Sequence, residues 1–157
     1  MNKIKFAQRS SVEFVEEGNN LAPKFNSEDV IPVVVTETKS GLVLMLGYMN
    51  KEALEKTILT KEAHYWSRSR KALWKKGESS GMVHKIDEIL IDDDQDSIWL
   101  KVTIGGLGAS CHVGYKSCFY RSVDSIEKDE VILNFTESEK VFDPEVVYPG
   151  IENPTKL

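Results

Sequence analysis

The sequence predicts one small α+β domain that consists mainly of β-strands, and three observations support this fold class. In residues 98–104, aliphatic side chains alternate with polar or aromatic ones, as in a strand with one buried face. Residues 31–36 and 42–48 are apolar runs separated by turn residues, which predicts a hairpin. Asn50 is a favourable N-cap for a helix of about ten residues. Strand-like segments at 63–68 and 83–91 complete a β-rich domain with one or two short helices.

Length and composition limit the kind of protein this is. The chain has 157 residues, of which 41% are hydrophobic and 29% charged, as expected for one globular domain. The apolar runs are too short to span a bilayer, and two cysteines do not make a disulfide scaffold, so we expect a cytoplasmic protein without a membrane segment. We expect an N-terminal appendage over residues 1–28, the main domain over 29–123, and a C-terminal extension over 124–157 that packs on the domain or trails from it.

The charges are grouped along the chain. Residues 61–85 contain seven basic and two acidic side chains, whereas residues 86–100 contain six acidic and no basic ones. A pocket that holds both a phosphate and a metal cation needs both signs side by side. Neither block has the extended basic character of a nucleic-acid surface, and the net charge of −5 argues against nucleic acid as a partner.

Four aspartates within residues 92–96 form the most acidic segment. In an extended strand or at its end, Asp92, Asp94 and Asp96 would point to the same side, where three carboxylates suit Mg²⁺ or Ca²⁺. An EF-hand loop is excluded because its sixth and twelfth positions would be Ser97 and Thr103 instead of Gly and Glu. A solvated hairpin tip is the competing interpretation for this segment.

A second segment, residues 109–118, contains both cysteines. Six residues separate Cys111 from Cys118, a spacing unlike that of a C-x-x-C redox motif or a zinc knuckle. Gly114 permits a sharp turn that would bring both sulfurs to one metal ion, and His112 would serve as a ligand or a proton-transfer base. Two buried structural thiols and a surface histidine are the alternative.

A third segment, residues 66–81, combines indoles, guanidinium and ammonium groups, hydroxyls and glycines. Indoles stack on planar bases, and arginines bind phosphate with two parallel hydrogen bonds. A generic basic loop would have a similar composition. The candidate substrate-binding residues are Trp66, Ser67, Arg68, Ser69, Arg70, Trp74, Lys75, Lys76, Glu78 and Ser79.

In chain order, residues 44–50, 66–81, 92–96 and 109–118 closely resemble the phosphoribosyl-AMP cyclohydrolase family of histidine biosynthesis. The similarity covers roughly residues 30–123. It implies a homodimer of β-rich pseudobarrels whose active site lies across the subunit interface. It also implies a nucleotide substrate, whose adenine ring is opened by water at the N1–C6 bond.

The resemblance also implies roles for individual residues. Zinc would be bound at Asp93, Cys111 and Cys118, with His112 as the catalytic histidine that transfers the proton. The basic side chains of residues 68–76 would neutralise the substrate phosphates. The magnesium-binding aspartates would be Asp92, Asp94 and Asp96.

The sequence departs from the family pattern at three positions. Asp93 stands where the family has a zinc-binding cysteine, and Met82 and His84 differ as well. Because carboxylates also bind Zn²⁺, we expect Asp93 to keep the ligand role, although a site poorer in sulfur would admit other divalent ions. A weaker idea makes His84 a replacement ligand. The alternatives for function are a paralogue that acts on another purine nucleotide and a nucleotide- or metal-binding protein without the activity.

Overall fold

The computed structural model of the protein describes residues 3–157, which form eight β-strands and three short α-helices. The prediction of a mainly β domain is confirmed, although this part of the chain has three helices where one or two are expected. In chain order, the elements are α1 (Val12–Glu17), β1 (Ile31–Glu37), β2 (Val43–Met49), α2 (Lys51–Thr60), β3 (His64–Ser67), β4 (Ala72–Lys75), β5 (His84–Ile91), β6 (Ile98–Ile104), β7 (Arg121–Glu127), β8 (Glu130–Phe135) and α3 (Pro144–Val147).

A four-stranded sheet with the order β2-β1-β6-β5 forms the centre of the domain. β1 and β2 make the predicted antiparallel hairpin, in which Val33 lies opposite Gly47. β6 lies parallel to β1 and antiparallel to β5. The predicted alternation in β6 is confirmed, because Ile98, Leu100 and Val102 are buried. Each such side chain contributes about 1.5–3 kcal/mol when it is removed from water, so burial of this face fixes the register.

Helix α2 covers one side of the core. Asn50 is its N-cap as predicted, since Oδ1 accepts a hydrogen bond of 2.9 Å from the backbone N–H of Ala53. Ala53 and Leu54 are fully buried against the sheet. The helix ends at Lys61, which adopts a left-handed conformation with φ of 59°.

The strands do not close into a barrel within residues 3–157. β3 and β4 form a separate two-stranded sheet, and β4 lies between the strand-like segments expected at residues 63–68 and 83–91. Glu62 pairs with Lys85 in a single bridge, which joins the start of β3 to β5. Because β3 has only four residues, this pairing does not continue, and the pseudobarrel implied by the resemblance stays open.

Residues 3–28 pack against the rest of the molecule. Phe6 and Phe25 contact the main core, and Val15 and Ala22 are buried. Burial of these side chains attaches the N-terminal segment to the sheet at the end where β5 meets β6.

The C-terminal residues also have regular structure. β7 and β8 form a hairpin whose two-residue turn, Lys128 and Asp129, has positive φ at both positions, as in a type I′ turn. β7 runs across the boundary expected between residues 123 and 124. Beyond the hairpin, Phe142 is buried against Met82 and Ala109.

Candidate active site

The acidic loop, residues 92–96, joins β5 to β6 at one end of the central sheet. One carboxylate oxygen from each of Asp92, Asp94 and Asp96 lies within 4.8 Å of the other two. Three oxygen donors at this spacing fit a hard divalent cation such as Mg²⁺. Asp93 is exposed, and its carboxylate is not part of this group.

Asp92 also holds the loop together. Its Oδ1 accepts hydrogen bonds from the backbone N–H groups of Asp96 (2.9 Å) and Ser97 (3.0 Å), and its Oδ2 accepts one from the Ser97 hydroxyl. Burial alone would raise the pKa of Asp92, but these hydrogen bonds outweigh it and lower that pKa. For Asp96, sharing a hydrogen bond with Asp92 and lying near the charge of Asp94 raise the pKa. A divalent cation would relieve this mutual repulsion.

Gln95 attaches the acidic loop to the N-terminal segment, a role that sequence reasoning missed. It is buried in a left-handed conformation with φ of 58°. Its Oε1 accepts a hydrogen bond of 2.7 Å from the N–H of Ala22, and its Nε2 donates one of 2.9 Å to the carbonyl of Val15. Arg9 adds a second connection, because its guanidinium donates to the carbonyls of Ala22 and Asp94.

The thiol loop, residues 111–118, follows β6. The N–H of Cys111 donates to the carbonyl of Tyr115 and the N–H of Gly114 donates to the carbonyl of Cys111, both at 3.1 Å. Gly114 has φ of 109°, which supports the turn predicted there. The N–H of Cys118 donates to the carbonyl of Leu44 at 2.7 Å and so places the end of the loop on β2.

The two thiols of this loop interact with each other. Cys111 is buried and Cys118 is exposed. A hydrogen bond from the Cys118 thiol lowers the pKa of Cys111 despite its burial, and the nearby Lys76 ammonium adds to this effect. The same hydrogen bond raises the pKa of Cys118. The negative charge therefore resides on Cys111, and two adjacent sulfurs of this kind suit a soft ion such as Zn²⁺.

His112 and Lys76 lie beside the thiols. Burial lowers the pKa of His112, while the Asn153 side chain opposes this shift. His112 is therefore neutral at neutral pH and able to accept a proton. The ammonium of Lys76 donates to the carbonyl of Ser110. Burial lowers the pKa of Lys76, and the two neighbouring cysteines act against it.

His84 is held in the core. One ring nitrogen hydrogen-bonds the Tyr65 hydroxyl at 3.0 Å, and the other hydrogen-bonds the Ser110 hydroxyl at 3.1 Å. Burial, helped by the charge of Lys76, lowers the pKa of His84 to about 3. Because both nitrogens are engaged, the idea that His84 replaces a metal ligand gains no support from this geometry.

The candidate substrate-binding residues line two adjoining cavities that share Arg70 and Trp74. The smaller cavity, of about 510 Å³, is lined on its β3–β4 side by Trp66, Ser67, Arg68, Ser69, Arg70 and Trp74. The larger one, of about 890 Å³, is lined by Arg70, Trp74, Lys75, Lys76, Glu78 and Ser79 together with Ser110, His112 and Cys118. The larger cavity therefore combines the basic segment with the thiol loop.

Some basic side chains of these cavities already have partners. Arg68 lies over the Tyr48 ring, 3.8 Å from its centroid, and Lys75 forms an ion pair with Glu62. Arg70 and Lys76 donate to neutral oxygens instead, those of the Ser67 hydroxyl and the Ser110 carbonyl. Because these acceptors carry no charge, Arg70 and Lys76 are the better placed cations for a phosphate in the larger cavity.

The acidic loop and the thiol loop lie at opposite ends of the β5–β6 hairpin. The acidic loop forms its tip, whereas Ser110, next to Cys111, contacts His84 at its open end. The seven residues of β6 span about 20 Å. A single chain therefore does not bring Asp93 to Cys111 and Cys118.

Comparison with known proteins identifies the family. The family model for phosphoribosyl-AMP cyclohydrolase matches residues 45–120. A phosphoribosyl-AMP cyclohydrolase of Rhodopseudomonas palustris (strain HaA2) is 50% identical over 142 residues, which are 90% of this chain and 95% of the relative. The chain belongs to the phosphoribosyl-AMP cyclohydrolase family. A cyclohydrolase of Rhizobium rhizogenes (strain K84 / ATCC BAA-868) is 44% identical over 148 residues, which are 94% of this chain and 99% of that relative.

The cyclohydrolase family model ends shortly after the thiol loop, yet later residues contact the site. Glu137 accepts hydrogen bonds from two backbone N–H groups of the thiol loop, and Asn153 lies against His112. The sequence analysis places both residues in the C-terminal extension, which it expects to pack on the domain or to trail from it, and gives neither of them a role at the site. The helices described between residues 3 and 157 include none that is long and apolar enough to cross a membrane.

Proposed function

We propose that the protein hydrolyses the N1–C6 bond of the adenine ring in 1-(5-phosphoribosyl)-AMP, as a cyclohydrolase of histidine biosynthesis in the cytoplasm. The larger cavity carries this proposal, because its walls include His112, Cys118 and Lys76. Addition of water to the ring requires an activated nucleophile, a group that moves protons and cations that neutralise phosphates. The family membership of the chain supports the same reaction.

His112 would move the protons of this reaction. In its neutral form it accepts a proton from the attacking water, and it returns the proton to the departing ring nitrogen. Such general acid–base catalysis typically contributes about 10²–10⁴-fold to the rate. Zn²⁺ bound by the adjacent thiols would act as a Lewis acid on the attacking water. Trp74 and Arg70, at the junction of the two cavities, would orient the base and one phosphate.

Both metals implied by the family fit donor groups of the described residues. The mutually hydrogen-bonded Cys111 and Cys118 match Zn²⁺, and the carboxylate group of the acidic loop matches Mg²⁺. Mg²⁺ there would help to hold the substrate. The catalytic unit in this proposal is residues 29–123, with residues 1–28 and 124–157 as extensions around it.

The distance between Asp93 and the two thiols within one chain indicates how many subunits a shared metal site would need. A site made of Asp93, Cys111 and Cys118 needs two chains, because β6 lies between the two loops within one chain. We therefore propose a homodimer in which the acidic loop of one subunit faces the thiol loop of the other.

The test of the activity is incubation of purified protein with phosphoribosyl-AMP, followed by the absorbance of the ring-opened product. We expect turnover that a chelator abolishes and that Zn²⁺ with Mg²⁺ restores. Absence of ring opening with both metals present would refute the proposal. Turnover of another purine nucleotide only, or binding without turnover, would identify one of the alternative functions.

The test of the shared site is subunit complementation between Asp93→Ala and Cys118→Ser. Each variant alone should be inactive. Mixed subunits should recover about one quarter of wild-type activity, because half of the dimers are mixed and each has one intact site. No recovery on mixing, with each variant folded and dimeric, would refute a site shared between subunits. Zinc content of Asp93→Ala equal to that of the wild type would show that Asp93 is not a ligand.

A further inference from the structure

The C-terminal extension is attached to the thiol loop by its backbone and by one carboxylate. Glu137 lies between β8 and α3, outside the segment that the family model matches. Its Oε1 accepts a hydrogen bond of 2.8 Å from the N–H of Lys116, and its Oε2 accepts one of 2.9 Å from the N–H of Ser117. These are the two residues that immediately precede Cys118. A single half-buried carboxylate therefore fixes the backbone that presents the second thiol.

Gly114 provides a second attachment point. Its carbonyl accepts hydrogen bonds from the N–H groups of Val141 (2.7 Å) and Phe142 (3.4 Å). A Cβ atom at position 114 would lie 2.3 Å from the carbonyl oxygen of Phe142, so the close approach of the two segments requires glycine. Phe142 itself is buried against Met82 and Ala109, which keeps this contact in place.

The residues that follow form one wall of the larger cavity. Besides Lys76, Glu78 and Ser79, the cavity is lined by residues of α3 and of the segment after it. Thr155 Oγ1 lies 3.5 Å from His112 Nε2, and the Asn153 side chain lies against the same ring. The longest stretch of this lining is residues 150–154.

We propose that the C-terminal extension is part of the active site, with Glu137 as a positioning residue for the thiol loop and residues 150–154 as a wall that contacts the bound nucleotide. This inference rests on the proposed function for the identity of the nucleotide. The Glu137 role does not depend on turnover, since metal binding by the two thiols would be measurable whether or not the substrate is the one proposed. A carboxylate that orients a metal-binding loop typically affects metal affinity about 10–100-fold.

The role of Glu137 is tested by Co²⁺ binding, which produces a thiolate-to-cobalt absorption band. In Glu137→Gln, one of the two loop N–H groups loses its acceptor, and we expect Co²⁺ affinity to fall about 10–100-fold. Glu139→Gln is the matched control, because Glu139 is exposed on the same segment. Glu139→Gln should bind Co²⁺ as the wild type does. Equal affinity in Glu137→Gln and the wild type would overturn the positioning role.

The role of the wall is tested by a chain that stops after Pro149. This variant should keep its Co²⁺ band, because Glu137 and Phe142 remain, while KM for phosphoribosyl-AMP rises by about tenfold or more. Removal of Lys156 and Leu157 alone is the control and should leave KM unchanged. An unchanged KM in the longer truncation would overturn the substrate contact.

An experiment that overturns the role of Glu137 or of the wall can be distinguished from one that overturns the proposed function. If wild-type protein binds Co²⁺ through its thiols but does not open phosphoribosyl-AMP, the proposed function fails while the Co²⁺ comparison still decides the role of Glu137. In that case, nucleotide binding by the wild type and the Pro149 truncation, measured by calorimetry with AMP, decides the role of the wall. Weaker AMP binding by the truncation supports the wall, and equal binding refutes it.

Discussion

The acidic loop and the thiol loop lie at the two ends of β6 and are built in different ways. In the acidic loop, a candidate metal ligand is also a structural group, because Asp92 accepts three hydrogen bonds that close the turn. In the thiol loop, backbone hydrogen bonds and the distant Glu137 make most of the connections, and the Cys111 sulfur adds hydrogen bonds from the Val113 N–H and the Cys118 thiol. The acidic loop is therefore closed largely by one of its own candidate ligands, whereas the thiol loop is held mainly by groups other than its thiols.

The two loops also depend on opposite ends of the chain. Gln95 connects the acidic loop to Val15 and Ala22, whereas Glu137 and Phe142 connect the thiol loop to the C-terminal extension. Loops that project from strand ends are mobile unless other groups hold them. The segments on either side of the family core thus hold the candidate ligands in place.

The largest expected effect is a change in the thiol loop that lowers kcat but leaves the free energy of unfolding nearly unchanged. His112→Asn should lower kcat by about 10²–10⁴-fold, because the variant lacks the group proposed to transfer the proton. The free energy of unfolding should stay within about 0.5 kcal/mol, since His112 is only partly buried. Steady-state kinetics and urea denaturation measure the two quantities. A large decrease in the free energy of unfolding together with the loss of activity would contradict a purely catalytic role of His112.

The second effect concerns the attachment of the acidic loop. Gln95→Ala should lower the free energy of unfolding by about 2–4 kcal/mol, because buried backbone groups at Ala22 and Val15 lose their partners. Hydrogen exchange should increase in both residues 12–24 and the acidic loop. Gln8→Ala, at an exposed glutamine, is the matched control and should change neither. Increased exchange confined to one of the two segments would argue against the connection.

The third expected effect is a decrease of the free energy of unfolding in acid. His84 and Asp92, at the two ends of the β5–β6 hairpin, should contribute to this decrease in different pH ranges. The pKa of His84 is about 3 in the fold, against roughly 6.5 in the unfolded chain, so the unfolded state binds the proton first. The stability that the neutral ring provides is complete above pH 6.5 and decreases as the pH falls towards 3. At pH 5 the loss is about 2 kcal/mol.

The measurement is the free energy of unfolding between pH 8 and pH 4, compared with that of His84→Gln. The variant should be less stable at pH 8 and should lack most of the decrease between pH 6.5 and pH 5. The pKa of Asp92 is already lowered in the fold, so its contribution is lost only below the ordinary range of a carboxyl group. The same slope in His84→Gln and the wild type would assign the acid sensitivity to other groups.

The smallest effect tests the double role of Asp92. Asp92→Ala should lower the free energy of unfolding by about 1–2 kcal/mol, because two backbone N–H groups lose their acceptor. Asp94→Ala should change it by less than about 0.5 kcal/mol. Both variants should weaken Mg²⁺ binding, which calorimetry measures. Equal stability of the two variants would show that Asp92 is not needed to close the turn.

Local patterns predicted local structure well. The alternation in residues 98–104 and the N-cap at Asn50 depend on neighbours within one turn or one strand, and both are confirmed. The parallel pairing of β1 with β6 joins residues about sixty positions apart and leaves no periodic signal. Asp92, Asp94 and Asp96 meet as their spacing predicts, because they share one turn.

The supporting residues of the site could not be predicted in the same way. Gln95 resembles an interruption in a run of acids, and Glu137 resembles one more surface acid. Their roles arise from hydrogen bonds to backbone groups 73 and 21 residues away, respectively. Because a backbone N–H has the same chemistry at every residue, the sequence does not mark which one a distant side chain will bind. The sequence therefore shows that these positions hold Gln and Glu, but not which backbone groups they bind.

The position of Thr155 beside His112 has a practical consequence for protein engineering. Only two residues would separate Thr155 from a polyhistidine tag fused after Leu157, so the tag would bring several imidazoles close to His112 and the larger cavity. Imidazoles bind the same divalent ions as the thiols, so such a fusion would both obstruct the nucleotide and compete for the metal. Purification handles and fluorescent fusions are better attached at the other terminus, with a cleavable linker ahead of residue 3.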